Sequence, residues 1–385
     1  MRAAMPVPMP TAAELLEVPP DAAEARIIAG GVAGAVSPSP GLTSLQRLLL
    51  ESTVESMTGF VVPASRVPRL GPLEFAHALA RRNRQFRERM VQFMLMCSLV
   101  LKPLPDEVVA RVEAYARELG VEDPMIRVAE KYARGSLGLA LVDFQRSGYM
   151  EAWDPAQSAA LHTSSELSDA WQACVSDEAL AQRWEALRDL PEGSLGREVV
   201  RFYDARGFVF PGRPGSAPPL LAQHDWVHVL ADYGSTVECE IEVFAFVSRA
   251  NDDPRGFSLL AMVISLFETG YMARGAGLFE YDPGHLSHRG MATRLADALR
   301  RGALCGWHGG GRDLLARDWF ADAARPIDDV RAELAIEPKT EFAIESGSVT
   351  AWEPGGISPY QYECGRKAAE AAGREYDSYG ARPLD

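Results

Sequence analysis

The stretch His224-Asp225-Trp226-Val227-His228-Val229-Leu230-Ala231-Asp232-Tyr233-Gly234-Ser235-Thr236-Val237-Glu238-Cys239-Glu240 decides how this chain is read. His224 and His228 stand four residues apart. On a helix that spacing puts both imidazoles on one face, one turn from each other. Two imidazoles joined by a carboxylate make a donor set for a divalent metal. A single helix through the stretch would turn Glu240 about 120° away from His228, at about 100° per residue. Residues 232–236 read instead as a turn, and Ser235 with Glu238 three residues later fits a capping box. A second helix starting there folds back and aims Glu240 at the histidines.

The phase of that second helix selects the acid. Val237, Ile241, Phe244 and Val247 recur at helical spacing and form an apolar stripe. Glu240 lies inside the stripe, whereas Glu238 and Glu242 fall on the far side, where solvated acids are expected. A carboxylate on a buried face needs a cation or a hydrogen-bond donor. A metal held by His224 and His228 supplies the cation. Cys239 adjoins Glu240 but points elsewhere on the helix. Asp225 stays open among three roles: a ligand, an acid that orients His224, and a solvated surface acid. Two histidines on one helix also pack or hydrogen-bond without any metal, so the pair alone is a weak signal.

Outward from this stretch, the composition is that of a globular protein: 385 residues, 47% hydrophobic and 24% charged, enough for two domains. A net charge of −14 argues against general nucleic-acid binding. The five cysteines, at 97, 174, 239, 305 and 364, are dispersed with no CxxC pair. That fits reduced thiols in a cytoplasmic protein. Prolines interrupt the apolar residues near the start, so no signal peptide is read there. The longest apolar runs, 90–101 and 257–267, are too short to span a bilayer. They leave room for a peripheral place on the inner face of a membrane.

Taken in order, residues 1–40 are rich in Ala, Pro and Gly and are expected to be mostly disordered, with a short helix at 12–17. Residues 41–187 read as an accessory helical domain. Arg81, Arg82, Arg84, Arg87 and Arg89 lead into a Met-rich stretch. A helix buried in its second half is the leading interpretation, and a helix drawn to anionic lipid is the other. Asp106 opens a helix with Val108, Val109, Val112, Tyr115, Ala116 and Leu119 at helical spacing, and Gly120 ends it. A further helix is read from Asp123-Pro124 to Tyr132. In its pattern of helix lengths this half resembles the tellurite-resistance TerB-like helical domains. Trp153, Trp171 and Trp184 mark a polar region, and the domain boundary is placed before Leu190. Residues 188–340 are expected to form their own core. Within them, 257–267 reads as a buried helix lining either plain core or a lipid tunnel. The glycine-rich segment 306–312 lacks the GK[ST] of a P-loop and reads as a flexible loop. His285, His288 and His308 read as surface or structural residues. Residues 341–385 form a C-terminal extension with a short helix near 362–372 and little expected chemistry.

Several segments together resemble the coenzyme Q biosynthesis protein 4 family, proteins of the ubiquinone pathway. They are Leu190-Pro191-Glu192-Gly193-Ser194-Leu195-Gly196, then His224-Asp225-x-x-His228, eleven residues and Glu240. Beyond these come Asp313-Leu314-Leu315, Trp319, Arg325-Pro326-Ile327 and the run from Val330 to Ile336. The resemblance covers roughly residues 188–337. It implies an all-α fold, four metal ligands (His224, Asp225, His228 and Glu240) and an apolar cavity for a polyprenyl chain beside them. The activity it implies is oxidative decarboxylation and hydroxylation of a polyprenylated benzoate, at the ring carbon bearing the carboxylate. A divalent metal suits that chemistry, because it can bind and orient the substrate carboxylate and stabilise developing charge. Zinc leads, and the donor set also admits cobalt, manganese or iron. Expected partners are a polyprenyl lipid or prenylated aromatic substrate, other quinone-biosynthesis enzymes, a membrane surface and a second copy of the chain as a homo-oligomer. The rival is a non-catalytic prenyl-lipid-binding scaffold with a structural metal, favoured by the unmatched residues 1–187.

Overall fold

Every regular element among the described residues is helical. The computed structural model describes residues 20–39, 41–101, 103–122, 126–127, 176–217, 219–251, 260–261, 263–264, 285–309 and 313–384. The first five helices are α1 (Ala22–Val36), α2 (Ser44–Thr58), α3 (Pro72–Ala78), α4 (Arg84–Leu99) and α5 (Asp106–Leu119). After them come α6 (Glu178–Glu185), α7 (Leu195–Arg206), α8 (Pro219–Ala231) and α9 (Val237–Ala250). The last four are α10 (Met291–Gly309), α11 (Ile327–Glu333), α12 (Glu341–Glu345) and α13 (Pro359–Ala371). The all-α class expected from the sequence holds. Among the described residues no helix is long and apolar enough to cross a membrane.

Local chemistry sets the helix ends in the first half. Thr43 and Gln46 close a capping box on α2, and the Asn83 side chain accepts from the Phe86 N–H at the start of α4. Gly120, at φ 67°, ends α5, whose buried residues are the six at helical spacing, Val108 to Leu119. Residues 90–99 of α4 are all buried, so the Met-rich stretch is core and faces no lipid. One expectation needs correction: residues 22–36 are ordered. Asp21 accepts from the Ala23 and Glu24 N–H groups and starts α1. The helix then packs against α2, α3, α4 and α5. Its alanine content favours helix, and burial of Ile28, Val32 and Val36 offsets the ordering entropy that a polar segment could not meet.

The longest described helix, α10, joins the halves. One side packs along α9, where a Cβ on Gly302 would stand 2.1 Å from the Phe246 carbonyl oxygen, so only glycine permits that approach. Another side meets α2, and the Ser52 hydroxyl donates to the Ala292 carbonyl at 3.2 Å. The main hydrophobic cluster therefore runs without a break from Ala25 to Ala351, beside a small one of Ala205, Ile357 and Ala381. It is not divided at the boundary expected before Leu190, because the face of α10 turned towards α2 needs that cover. Residues 306–309, expected as loop, belong to α10. The readings at 12–17, at Trp153 and Trp171, and over most of 123–132, 257–267 and 310–312 lie outside the described residues.

Candidate metal centre

The end of α8 builds the turn that makes the site. Asp232 takes a left-handed conformation (φ 63°), which short polar side chains tolerate, and the Tyr233 N–H donates back to the His228 carbonyl at 2.9 Å. The chain then reverses and α9 begins at Val237, with Thr236 in the N-cap position. This corrects the capping box expected at Ser235. The Ser235 hydroxyl instead accepts from Arg206 Nε and donates to Gln361 Oε1 at 2.8 Å, which takes it away from the helix backbone. With α9 packed back on α8, Glu240 Oε2 lies 3.1 Å from His228 Nε2 and 3.3 Å from His224 Nε2. Asp225 Oδ1 is 3.6 Å from His224 Nε2. All four side chains are buried. The three α8 residues alone bring one ligand atom each to within 4.8 Å of one another.

Outer partners fix each member of this set. His228 Nδ1 lies 2.7 Å from the Gly234 carbonyl oxygen. A carbonyl only accepts, so Nδ1 carries the proton and the Nε2 lone pair faces Glu240. A lone pair 3.1 Å from a carboxylate oxygen needs a cation, either a proton on Nε2 or a metal ion. Phe202 stacks on the His228 ring and Phe244 on the His224 ring. The Tyr203 hydroxyl donates to Asp225 Oδ2 at 2.5 Å. Burial pushes the Glu240 carboxyl up, but the charge of His228 and hydrogen bonds from both imidazoles outweigh it and hold the group at about 2. Burial likewise raises the Asp225 carboxyl, and there the imidazoles and Tyr203 do not cancel it. The Tyr203 phenol is driven well above its ordinary value by burial and by Asp225, so it remains a donor.

Distant segments hold the two ligand helices in place. Arg331 donates to the Val229 and Leu230 carbonyls, and Arg301 donates to that of Ala231, so cations satisfy the last carbonyls of α8. Arg206 is fully buried and donates to Ser235, to the Ala351 carbonyl at 3.0 Å and to the Gly356 carbonyl at 2.9 Å. Burial lowers its guanidinium to about 9. The Gly234 N–H donates to the Val349 carbonyl, and a Cβ on Gly234 would stand 2.7 Å from Gly356 Cα. The C-terminal extension, from which little chemistry was expected, is thus a strap across the ligand turn. Its longer helix, α13, lies close to the expected 362–372.

The neighbouring acids differ from expectation. Glu242 is 1% exposed and pairs with Arg294 at 2.6 Å, so it is no solvated acid. Glu238 is half-buried and meets two histidines, His285 Nδ1 at 2.7 Å and His288 Nδ1 at 2.6 Å. The i, i+3 histidine spacing in the sequence could have flagged this pair. His308 is exposed near the end of α10. Cys239 Sγ faces the Thr236 hydroxyl and Arg294, in keeping with its exclusion as a ligand. A cavity of about 30 Å³ adjoins His224, Asp225 and Glu240, walled by Tyr203, Phe208, Val209, Gly215 and Ala217. It holds about one water molecule. The apolar cavity expected beside 257–267 falls mostly outside the described residues; the one described here is walled by the 208–217 loop. The loop reaches it because Phe208 and Val209 follow Gly207, the residue that ends α7, and Tyr203 on that helix is anchored to Asp225.

Fold and site together define an all-α protein with a buried cluster of two imidazoles and two carboxylates able to hold a metal ion. Comparison with protein-family models, with curated proteins and with solved structures found no match to this chain.

Proposed function

We propose that this protein is a divalent-metal enzyme of ubiquinone-type quinone biosynthesis. Its reaction is oxidative decarboxylation and hydroxylation of a polyprenylated benzoate at the ring carbon bearing the carboxylate. The observation that carries this reading is the position of Glu240 Oε2, 3.1 and 3.3 Å from two imidazole Nε2 atoms. Two carboxylates with two neutral imidazoles give a buried donor set whose charge matches a divalent cation.

The segments that carry the family resemblance also meet around this site, which supports the reading. Leu195 N–H donates to the Arg325 carbonyl, Gly196 N–H to that of Ala323, and Ile327 N–H to that of Gly193. This pairing seats α7, which brings Phe202 against His228 and Tyr203 against Asp225. Arg331, from the same C-terminal segment, caps the helix that carries the histidines.

His224, Asp225, His228 and Glu240 would hold the metal, with zinc first among the candidates. When bound, it supplies a Lewis acid for the substrate carboxylate. Gly234 keeps the His228 lone pair aimed inward, and Tyr203 keeps Asp225 in place. Phe208, Val209 and Ala217 offer an apolar wall for the aromatic ring. The 208–217 loop must move to admit a ring, since the cavity holds about one water. The second reading is a scaffold that binds prenyl lipid elsewhere and keeps a structural metal.

The test is turnover of a polyprenylated hydroxybenzoate by the zinc-, cobalt-, manganese- and iron-loaded chain with dioxygen and a two-electron donor, which reduces the second oxygen atom to water. Wild type should release CO₂ and hydroxylate the ring, and Glu240→Gln should do neither. Metal-loaded wild type that co-purifies with prenyl lipid by mass spectrometry yet releases no CO₂ would establish the scaffold instead.

A further inference from the structure

We propose that Glu238, His285 and His288 form a second divalent-metal site, distinct from the buried centre. Glu238 lies in the first turn of α9, two residues before Glu240. At about 100° per residue the two carboxylates leave that helix on nearly opposite sides. His285 opens a turn of 3₁₀-helix, 285–287, just before α10, and His288 follows it three residues on. That spacing eclipses side chains and turns both rings the same way.

The geometry converges on one point. Nδ1 of His285 and Nδ1 of His288 approach the same Glu238 Oε1, at 2.7 and 2.6 Å. The rings stand 5.1 Å apart, and the three ligand atoms fall within 4.8 Å of one another. Two imidazoles and a carboxylate are the donor set of an open metal site, in which a water takes the remaining position. Arg294, the cation beside this end of α9, is engaged by Glu242 at 2.6 Å. The two imidazoles are the direct side-chain partners of Glu238. Exposure is graded across the site: the side chain of His285 is 10% exposed, that of Glu238 16% and that of His288 56%. An ion therefore has an approach from the His288 side. Borderline cations such as zinc, cobalt or nickel suit this donor set better than magnesium or calcium, which prefer oxygen. The arrangement has a metal-free competitor, in which both rings carry their proton on Nδ1 and donate to one oxygen.

The experiment is titration of the full chain with Co(II) and with Zn(II), read by bound equivalents and by the Co(II) visible spectrum. It uses wild type, His228→Ala, Glu238→Gln, His288→Ala, and the last two combined with His228→Ala. Glu238→Gln and His288→Ala should each remove one equivalent, in wild type and in the His228→Ala chain alike. The loss in affinity should exceed the roughly 10–100-fold that removal of an outer partner causes. The His228→Ala background separates the sites: an equivalent lost there cannot come from the buried centre. His288 is exposed, so its replacement should leave the circular dichroism unchanged. Equal metal content in His228→Ala and in both double variants would overturn the proposal. If wild type and His228→Ala each held a single equivalent and Glu238→Gln held none, the buried centre would take no metal: the function proposed above would fail and this site would stand.

Discussion

Two histidine–carboxylate clusters share helix α9, and they differ in what surrounds them. At the buried cluster each imidazole points Nε2 inward, the Nδ1 of His228 is tied to Gly234, and both rings are stacked by phenylalanines. The other cluster uses Nδ1 of both rings and leaves His288 largely in water. The donors are of similar type, so the difference lies in preorganisation: a ring whose tautomer and plane are fixed loses less on binding an ion. The buried cluster should therefore bind metal more tightly and exchange it more slowly than the half-exposed one.

The largest expected effect tests which carboxylate belongs to which cluster. Glu240→Gln should strip the buried centre of metal, because no other side chain on α9 has the same reach into a dry site. Glu238→Gln should leave that centre loaded. Elemental analysis in a His288→Ala background, which empties the half-exposed cluster, checks this: Glu240→Gln should then hold no metal and Glu238→Gln one equivalent, and equal content would break the assignment. Next in size is Glu242, read from the sequence as solvated. Its removal strands the buried Arg294, so Glu242→Leu should lower stability by about 3–5 kcal/mol, the usual result of breaking a buried ion pair. Urea unfolding measures it. A change under about 0.5 kcal/mol would mean that Glu242 behaves as an exposed acid after all.

What was legible in the sequence follows the same physics. Periodicity identified α5 with its whole buried face, the buried half of α4, and the pairing of Glu240 with His224 and His228, because apolar spacing reports a helix face directly. It failed where partners come from far along the chain. Nothing local to Glu242 reveals Arg294, and nothing near Glu238 reveals His285 and His288. Helix α1 was missed because its alanines and glycines look like a low-complexity tail until the face they pack against is known. Ser235 followed the capping rule in sequence, but Arg206 and Gln361 claimed its hydroxyl. The strap at residues 349–361 was unreadable for a related reason: its contacts to the ligand turn are mostly through backbone carbonyls, which carry no sequence signature.

A smaller effect separates ligands from the groups that hold them. Tyr203→Phe removes the hydroxyl that donates to Asp225 and keeps the ring. Metal affinity at the buried centre should fall by roughly 10–100-fold, with the fold intact and the half-exposed cluster unaffected. Competition with a chromophoric chelator reads both sites. Unchanged affinity would show that Asp225 is held well enough by its helix, and that Tyr203 only fills space.

The smallest expected effect is the acid limb of stability in the metal-free protein, and it compares the clusters directly. Glu238 and Glu240 are both held at about 2, against an ordinary 4.5. In each case burial works the other way and the histidines outweigh it. A depressed carboxyl stabilises the folded state fully above its unfolded value and loses that contribution as pH falls through the folded one. Chelator-treated wild type should thus lose stability between about pH 4.5 and 2, and Glu240→Gln and Glu238→Gln should each flatten part of that fall. Asp225, whose carboxyl is raised, contributes with the opposite sign; its share is the same in wild type and Glu238→Gln, but the Glu240 charge helps to raise it, so Glu240→Gln also eases that opposing contribution. Salt then divides the remainder. The Glu238 cluster opens to solvent through His288, so high salt should weaken the limb that survives in Glu240→Gln. The limb that survives in Glu238→Gln comes from a dry site and should persist. Urea midpoints for the three chains at several pH values, in low and high salt, measure this. Equal salt sensitivity in the two variants would show that the clusters are screened alike, and the contrast in burial would then lose its energetic meaning.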